Sequence, residues 1–320
     1  MRDQSEVFPF LRESPPLVLV NPAAGGGRVR AYLPRIRKLL ESLEISAHFA
    51  ITNTPGELES AARHAISQNQ RFLLAMGGDG TFQALANGVF GSDVIIGILP
   101  TGAGNDFASA LGLPPNPLLA AEGVLRGKPR LVDLVRVRTA DGRTRLYAGG
   151  GGIGLDAEAV LIASGAYRKF PGRFRYIASA LRALLKHLPL TVRLEFPHSD
   201  LGAVETKCLL AAVLNTPTYG GGVRLAPDSV VDDGLIQVVL VEDLSTLGIL
   251  KLLPELMRTG DLGTSKVQRW KVKSVMMCAD RPAFFHGDGE ILGRAPVEIE
   301  VVPAAVRVLA PLLNPDPLLS

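Results

Sequence analysis

The chain has 320 residues and a mass of 34.0 kDa, which is enough for one large domain or two ordinary ones. Hydrophobic residues make up 47% of it and the mean hydropathy is +0.23, so we expect a sizeable core and exclude general disorder. A formal charge of +3 is too small to indicate a nucleic acid partner, and two cysteines 70 positions apart exclude a disulfide framework.

Targeting segments are not expected. Residues 1–16 are charged and contain three prolines, so they do not have the apolar core of a signal peptide. No apolar run reaches the roughly 18 residues that a membrane-spanning helix needs. We therefore expect a cytoplasmic protein, either soluble or peripheral at the inner face of the membrane.

Strands and helices alternate through the first 130 or so residues. Apolar runs predict the strands, and apolar residues at spacings of three and four predict the helices between them. The predicted strands are 17–20, 46–52, 72–76 and 94–99, and the predicted helices are 33–43, 55–65 and 81–89. Near-continuous apolar strands separated by helices predict a parallel sheet covered on both faces.

In the second half of the chain, short strands separated by glycine-rich turns predominate. They are predicted at 132–137, 144–148, 190–196, 207–215, 235–241, 267–277 and 297–302. Helices at 175–187 and near 244–258 interrupt them, and the pattern predicts an antiparallel sandwich or open barrel. The expected organisation is an α/β domain over 1–133, a β-sandwich domain over 134–310 and a tail over 311–320.

The strongest local signal is GGDGT at 77–81, which follows the third predicted strand and opens a helix. Glycines at such a turn let the backbone approach a phosphate, and the N-terminus of the helix favours the anion. A carboxylate beside phosphates needs a cation between them, so Asp79 indicates Mg²⁺ or water bound to Mg²⁺. The alternative interpretation is that Asp79 only caps the helix.

Two further loops of small residues follow predicted strands. NPAAGGGR (21–28) closes the first strand and LPTGAGNDFA (99–108) closes the fourth. The carboxyl ends of parallel strands gather at one edge of a sheet, where ligands bind. Taken singly, Asn105 and Asp106 would be read as cap residues. Three such loops at one edge together predict a cradle for the phosphates of a nucleotide.

These three motifs, in this order, resemble those of the diacylglycerol kinase catalytic-domain family, which includes sphingosine, ceramide and bacterial lipid kinases. Further matches are GGGGIGLDAEAV (149–160), NTPTYGGGVRLAPDSVVDDGLIQVVLV (215–241) and HGDGE (286–290), so the resemblance extends over residues 17–310. It implies a three-layer α/β nucleotide-binding domain, a C-terminal β-sandwich, and transfer of phosphate from ATP to a lipid hydroxyl with Mg²⁺.

The resemblance also implies roles for individual residues. Glu290 corresponds to the general base that removes the proton of the lipid hydroxyl, with Asp288 beside it, and Asp79 corresponds to the residue linked to Mg²⁺. Contacts to ATP are implied for a larger set: Asn21, Gly25, Thr52, Gly77, Gly78, Asp79, Gly80, Thr81, Gly102, Asn105 and Asp106.

A second, non-catalytic Mg²⁺ site is implied at Asp233, completed by the backbone carbonyl groups of Val230 and Leu235. The third motif departs from the family pattern in one place. Ala103 stands where the family usually has threonine, so a hydroxyl that would contact ATP is missing.

The DGE sequence also has a chemical interpretation of its own. A carboxylate in a water-poor cleft can accept the proton of an attacking alcohol. Asp288 and Glu290 are two positions apart, and on an extended segment they would point to the same side and share one site. The alternative interpretation is a surface turn, because Asp-Gly is common in hairpins. His286 is interpreted as structural.

The sequence GGGGIG at 149–154 satisfies the dinucleotide-binding pattern G-x-G-x-x-G. That fold also needs an acidic residue about 20 positions further on, and none lies between Glu158 and Glu195. An oxidoreductase is therefore not expected, and the glycines are predicted to line a cleft between the domains.

Residues 159–194 contain no acidic residue but carry seven basic ones, and four aromatic residues are interleaved with the first four of these. The basic segment 167–193 suits contact with the anionic headgroups of a membrane. The alternative interpretation is a solvated basic face. No RNA-binding motif accompanies it.

These observations predict an ATP- and Mg²⁺-dependent lipid kinase whose acceptor is an amphiphilic lipid such as diacylglycerol. They predict no nucleic acid partner, and they do not decide whether the protein forms a homodimer. One rival is an NAD kinase, whose family has a similar GGDGT loop. Another is a protein that binds lipid or nucleotide without catalysis. The NDFA sequence and the matches in the second half favour the lipid kinase, and the presence of Asp79 and Glu290 argues against a silent binder.

Overall fold

The computed structural model describes residues 10–165, 172–186, 188–245, 248–249, 254–255, 258–260 and 266–311. The chain divides into two compact units, one formed by Met1–Val132 with Val306–Ser320 and the other by Asp133–Ala305. The sequence predicts a second domain that extends to residue 310, whereas residues 306–310 of the last strand join the first unit. Most of the helix predicted near 244–258 lies outside the described residues.

The first unit is built on a parallel sheet. Its strands are β1 (Leu17–Val20), β2 (His48–Ile51), β3 (Phe72–Gly77), β4 (Ile95–Pro100) and the end of β15 (Val297–Ala310). They lie in the order β2-β1-β3-β4-β15, and Arg307 of β15 pairs with Ile95 of β4. Every residue of β3 is buried, as expected when both faces of a strand are covered.

Helices pack around this sheet. They are α1 (Phe10–Glu13), α2 (Arg28–Ser42), α3 (Pro55–Ser67), α4 (Asp79–Val89), α5 (Asp106–Ala110) and α6 (Pro117–Leu125). α2 packs against α6, and α3 packs against α4. Local sequence fixes the start of α3, because Thr54 Oγ1 accepts the N–H of Glu57 and Pro55 occupies the first helical position. The predicted α/β class with a parallel sheet is confirmed.

In the part of the chain that the structure describes, antiparallel strands and helices make up the second unit. The strands are β5 (Lys128–Thr139), β6 (Thr144–Tyr147), β7 (Gly150–Gly154), β8 (Leu190–Glu195), β9 (Val204–Leu214), β10 (Ile236–Glu242), β11 (Val267–Val272), β12 (Ser274–Ala279), β13 (Phe284–Gly287) and β14 (Glu290–Arg294). The helices α7 (Leu155–Ser164) and α8 (Gly172–Lys186) pack against each other. None of the described helices is both long enough and apolar enough to cross a bilayer.

Two sheets of the second unit share β9. Its first part, Val204–Cys208, pairs with β8. The sheet that begins there runs on from β8 through β12, β15 and β5 to β6. Its second part, Leu210–Leu214, pairs with β7 on one side and β10 on the other. β7 is followed in this sheet by β13 and β14, and β10 is followed by β11. Buried residues from both sheets, including Val192, Val213 and Met277, form one hydrophobic cluster. The prediction of a C-terminal β-sandwich is confirmed.

Candidate active site

A crevice is expected at the carboxyl edge of the sheet in the first unit. β1 and β3 are neighbours, but the chain leaves β1 toward β2 on one side and leaves β3 toward β4 on the other. Such a reversal of strand order separates the two connections and opens a ligand-binding crevice. The N–H of Asn21 donates to the carbonyl of Met76, so the loop after β1 begins beside the end of β3.

Glycines let the three loops approach one another. A Cβ on Gly102 would lie 2.4 Å from the Cα of Gly78, and a Cβ on Gly25 would lie 2.1 Å from the carbonyl oxygen of Thr101. Gly25 also has a φ of 60°, in the left-handed region. Glycine is therefore required at these positions, and where the loops meet they present backbone rather than side chains to a ligand.

Asp79 connects two of these loops. Its carboxylate accepts the N–H of Asn105 at 2.8 Å on Oδ2 and the N–H of Phe107 at 3.1 Å on Oδ1. Asp79 is the first residue of α4, while Asn105 directly precedes α5, so one carboxylate lies in the first turn of α4 and caps the N-terminus of α5. The sequence suggested a Mg²⁺ ligand or a cap of its own helix, and the connection to the loop after β4 was not foreseen.

The other residues predicted to contact ATP lie at the same edge. Asn21 Nδ2 donates to Thr81 Oγ1 at 3.1 Å, which joins the loop after β1 to the first turn of α4. The buried Thr52 follows β2, and its N–H donates to the carbonyl of Val20 at 2.9 Å. Two further predicted residues lie in the first turns of α4 and α5: Gly80 and Asp106.

Two buried polar atoms in the loop after β4 have no hydrogen-bond partner within the described part of the chain. They are Thr101 Oγ1 and Asn105 Oδ1. Buried polar atoms normally have partners, so this pair fits a polar ligand. A hydroxyl can donate to a phosphate oxygen, and an amide oxygen can accept from a ligand hydroxyl or from metal-bound water. The crevice residues therefore fit a nucleotide triphosphate.

The fit to Mg²⁺ depends on the nucleotide. Among the described residues there is no group of three or more His, Cys, Asp or Glu side chains that could hold a metal ion. Mg²⁺ commonly binds through one or two carboxylates together with substrate phosphates and water. Asp79 is a carboxylate in the cradle that fits this mode.

In the second unit, the predicted general base lies on a hairpin. Gly287 of β13 pairs with Glu290 of β14, so Asp288 and Gly289 form a two-residue turn with φ values of 49° and 83°. Positive φ at both positions is characteristic of a type I′ turn, for which Asp-Gly is a favoured sequence. The turn and the catalytic interpretations are therefore compatible, because the hairpin presents the exposed Glu290 at the first position of β14.

Asp288 ties this hairpin to the segment before β7. Its carboxylate accepts the N–H of Ala148 at 2.8 Å, of Gly149 at 2.9 Å and of Gly150 at 3.1 Å. The expectation that Asp288 and Glu290 share one side of an extended segment is wrong, because the chain reverses direction between them. The contacts of Asp288 indicate that it holds the turn in place.

A buried polar network that the sequence analysis missed lies beside the hairpin. His286 is 3% exposed, and its Nε2 lies 2.5 Å from the Tyr219 hydroxyl. Asp156 Oδ2 accepts the Tyr219 O–H at 2.8 Å and lies 3.3 Å from His286 Nε2. Burial alone would raise the pKa of Asp156, but the hydrogen bonds from His286 and Tyr219 lower it below its usual value. The network therefore encloses a charged carboxylate.

The glycines of β7 make room for this network. A Cβ on Gly150 would lie 2.8 Å from the Tyr219 ring, and a Cβ on Gly152 would lie 2.5 Å from Asp156 Oδ2. The GGGGIG sequence is therefore explained by close packing within the second unit. This motif is the sequence signal that could have indicated the network. The partners in the network could not be identified from spacing, because Tyr219 lies 63 positions from Asp156 and 67 from His286.

The predicted second metal site lies in the turn before β10. Asp233 Oδ1 accepts the N–H of Leu235 at 3.0 Å, and Oδ2 lies 3.4 Å from Lys271 Nζ. The side chain of Val230, whose carbonyl was the third predicted ligand, is exposed. An ammonium group thus lies at the carboxylate that the sequence analysis assigned to a divalent ion.

Comparison with known proteins matches both units. Residues 15–137 match the diacylglycerol kinase catalytic domain, and residues 151–310 match the YegS C-terminal NAD kinase beta sandwich-like domain. The first match contains the glycine loops, and the second contains most of the sandwich and the hairpin. The fold and these matches define the class as lipid kinases, which are phosphotransferases.

Individual relatives agree with this class. A diacylglycerol kinase of Mycobacterium tuberculosis is 31% identical over 258 residues, which covers 78% of this chain and 81% of the relative. A diacylglycerol kinase of Bacillus subtilis is 25% identical and covers 92% of this chain and 95% of the relative. The crystal structure of a diacylglycerol kinase from Bacillus anthracis has the same fold, with a TM-score of 0.70, 22% identity, and coverage of 94% and 97%. The chain belongs to the diacylglycerol kinase catalytic-domain family, as the motifs predicted.

Proposed function

We propose that this protein transfers the γ-phosphate of ATP to the hydroxyl group of a lipid such as diacylglycerol, with Mg²⁺. The observation that carries the proposal is the glycine-walled crevice in which Asp79 holds the loop after β4 against the start of α4. Its glycine-lined backbone and its unpartnered polar atoms suit a triphosphate. The family match to lipid kinases supports the choice of acceptor class.

In this mechanism the first unit binds and orients the phosphates. The backbone N–H groups at the start of α4 donate to phosphate oxygens, and the hydroxyl of Thr101 donates to another. Bound Mg²⁺ would neutralise the charge on the transferred group, and Asp79 is the residue that would hold it through water. Because Asp79 also fixes Asn105, the same carboxylate keeps both sides of the crevice in place.

In the second unit Glu290 acts as the proton acceptor. The lipid oxygen forms a bond to the γ-phosphorus while the bond from that phosphorus to the bridging oxygen breaks and ADP leaves. The hydroxyl proton moves to the carboxylate of Glu290. Asp288 positions this base, because its three N–H bonds fix the turn that precedes Glu290.

The reaction is tested with γ-labelled ATP and separate acceptors: diacylglycerol, ceramide, sphingosine, phosphatidylglycerol and NAD. We expect labelled product with a lipid acceptor and none when Mg²⁺ is chelated. Labelled product with NAD alone would replace this proposal with a small-molecule kinase. No product with any acceptor, together with measurable ATP binding, would indicate a binding protein without catalysis.

The pH dependence of this activity should report the protonation state of the Asp288 carboxyl group. Burial raises the pKa of Asp288 from 3.8 to about 6, although the N–H groups of Ala148, Gly149 and Gly150 lower it in part. Below about pH 6 the carboxyl becomes protonated and is a weaker acceptor for these groups. A folded-state pKa above the unfolded value means that this carboxyl stabilises the fold increasingly as pH falls from about 6 to 4.

We therefore expect kcat to fall below pH 6 toward the level of the Asp288→Asn variant, while the contribution of Asp288 to thermal stability rises over the same range. Profiles of kcat and Tm from pH 5 to 8 measure both. Asp288→Asn should have lower activity at every pH and no step near pH 6. If that variant kept the same step, the titrating group would be another residue.

We also propose that the protein contacts membranes through a leucine face, defined as Leu181, Leu185 and Leu188. Leu181 and Leu185 lie four residues apart on α8, which places them on one side of the helix, and Leu188 follows the helix in the sequence. Their side chains are 49%, 70% and 66% exposed, whereas Ser179 and Ala183 of α8 are buried. An exposed apolar stripe in a stretch without acidic residues suits insertion among anionic lipids. The first residues of the basic segment, 167–171, lie outside the described residues.

Vesicle sedimentation tests this surface. We expect binding to phosphatidylcholine vesicles that contain phosphatidylglycerol, and about tenfold weaker binding by Leu185→Glu, because burial of one leucine side chain is lost. Leu201→Glu, at an exposed leucine elsewhere in the second unit, is the matched control. Equal binding by Leu185→Glu and the control would show that another surface, or none, docks on the membrane.

A further inference from the structure

Hydrogen bonds from protein groups hold the turn that contains Asp233. Asp133 is 2% exposed, and its N–H donates to the carbonyl of Val231 at 2.7 Å. Asp133 Oδ2 accepts the N–H of Gly234 at 2.7 Å, and Oδ1 accepts the N–H of Ala304 at 2.8 Å. Asp133 therefore holds the turn on both sides of Asp233, through its backbone N–H at Val231 and its carboxylate at Gly234, which is the task that a structural ion would perform.

The carboxylate of Asp233 already has a cation. Lys271 Nζ lies 3.4 Å from Asp233 Oδ2, and the N–H of Leu235 donates a hydrogen bond to Oδ1 at 3.0 Å. Strand pairing accounts for the lysine, because Lys271 of β11 lies opposite Gln237 of β10, two residues beyond Leu235. A divalent ion on Oδ2 would lie about 2 Å from that oxygen and would be repelled by the neighbouring ammonium group.

We infer that Lys271 takes the place of a divalent ion at Asp233, and that this turn binds no Mg²⁺ in the native protein. The residues present do not fit the second metal site that the resemblance implies, since its one side-chain ligand is paired with a lysine. In the proposed reaction, Mg²⁺ then binds with the nucleotide and not at this turn. This inference does not rest on the proposed kinase activity, because it concerns the protein without nucleotide.

Thermal unfolding without nucleotide tests the inference. The Tm of the wild-type protein should be the same in 10 mM Mg²⁺ as in EDTA, after correction for ionic strength with a monovalent salt. Lys271→Met exposes the Asp233 carboxylate and should gain a saturable increase of about 3 °C with Mg²⁺. The double variant Lys271→Met with Asp233→Asn should lose this gain, and Lys271→Arg, which keeps the charge, should not acquire it.

Two controls make the result specific. Lys273→Met removes an exposed lysine two positions away and should leave the protein insensitive to Mg²⁺. Lys271 is itself 39% exposed, so its replacement should not prevent folding. A saturable effect of Mg²⁺ on the wild-type protein that Asp233→Asn abolishes would overturn the inference. So would a Lys271→Met variant that folds and does not respond to Mg²⁺.

Discussion

Glu290→Gln is expected to lower kcat by about 10²–10⁴-fold, which is the usual contribution of a positioned carboxylate that accepts a proton. The substitution keeps the size and hydrogen-bonding reach of the side chain but removes its basicity. The exposed position of Glu290 at the start of β14 means that the hairpin should fold normally. KM for ATP and for the lipid should change little, because the lost interaction forms mainly in the transition state. Steady-state kinetics with both substrates varied measures this.

Glu205→Gln provides the control for that experiment, since it replaces an exposed glutamate of β9 in the same unit. It should keep wild-type kcat. Turnover of Glu290→Gln within a few-fold of the wild-type protein, with the same lipid, would show that the base lies elsewhere or that no protein base is needed. His286 would then be the next residue to replace.

Asp79→Asn is expected to lower kcat/KM for ATP by roughly 100-fold and to lower Tm by about 2–4 °C. An asparagine has one acceptor oxygen, so it cannot accept the N–H groups of both Asn105 and Phe107 as the carboxylate does. Losing one bond to a charged group costs about 1.5–3 kcal/mol, and the cap of α5 is weakened. Kinetics at several Mg²⁺ concentrations and thermal unfolding measure the two effects.

The dependence on Mg²⁺ separates two roles of Asp79. If it also holds the metal through water, the Mg²⁺ concentration that gives half-maximal rate should rise in the variant. If it only fixes the loops, kcat/KM should fall with no change in the Mg²⁺ requirement. Asp93→Asn, at an exposed aspartate of the same unit, should behave like the wild-type protein. Unchanged kcat/KM for Asp79→Asn would remove Asp79 from the site altogether.

Much of the first unit could be predicted from the sequence because its signals are local. A buried parallel strand such as β3 is a short apolar run, and the glycines after it must lie at a turn whatever the rest of the chain does. Knowing that parallel strands end at one edge was then enough to gather Asn21, Asp79 and Asn105 in one predicted cradle. The Asp-Gly turn before Glu290 is equally local, since its two residues tolerate positive φ.

Tertiary structure alone decided which distant residues meet. Asp79 bonds to backbone 26 and 28 positions away, and the Asp156 network joins residues 63 and 67 positions apart. Lys271 reaches Asp233 only because β11 pairs with β10 in one particular register. The return of β15 to the first unit is of the same kind. A sequence pattern reports the preferences of neighbouring residues, whereas these contacts depend on strand pairing and packing across the whole fold, which no short window of residues contains.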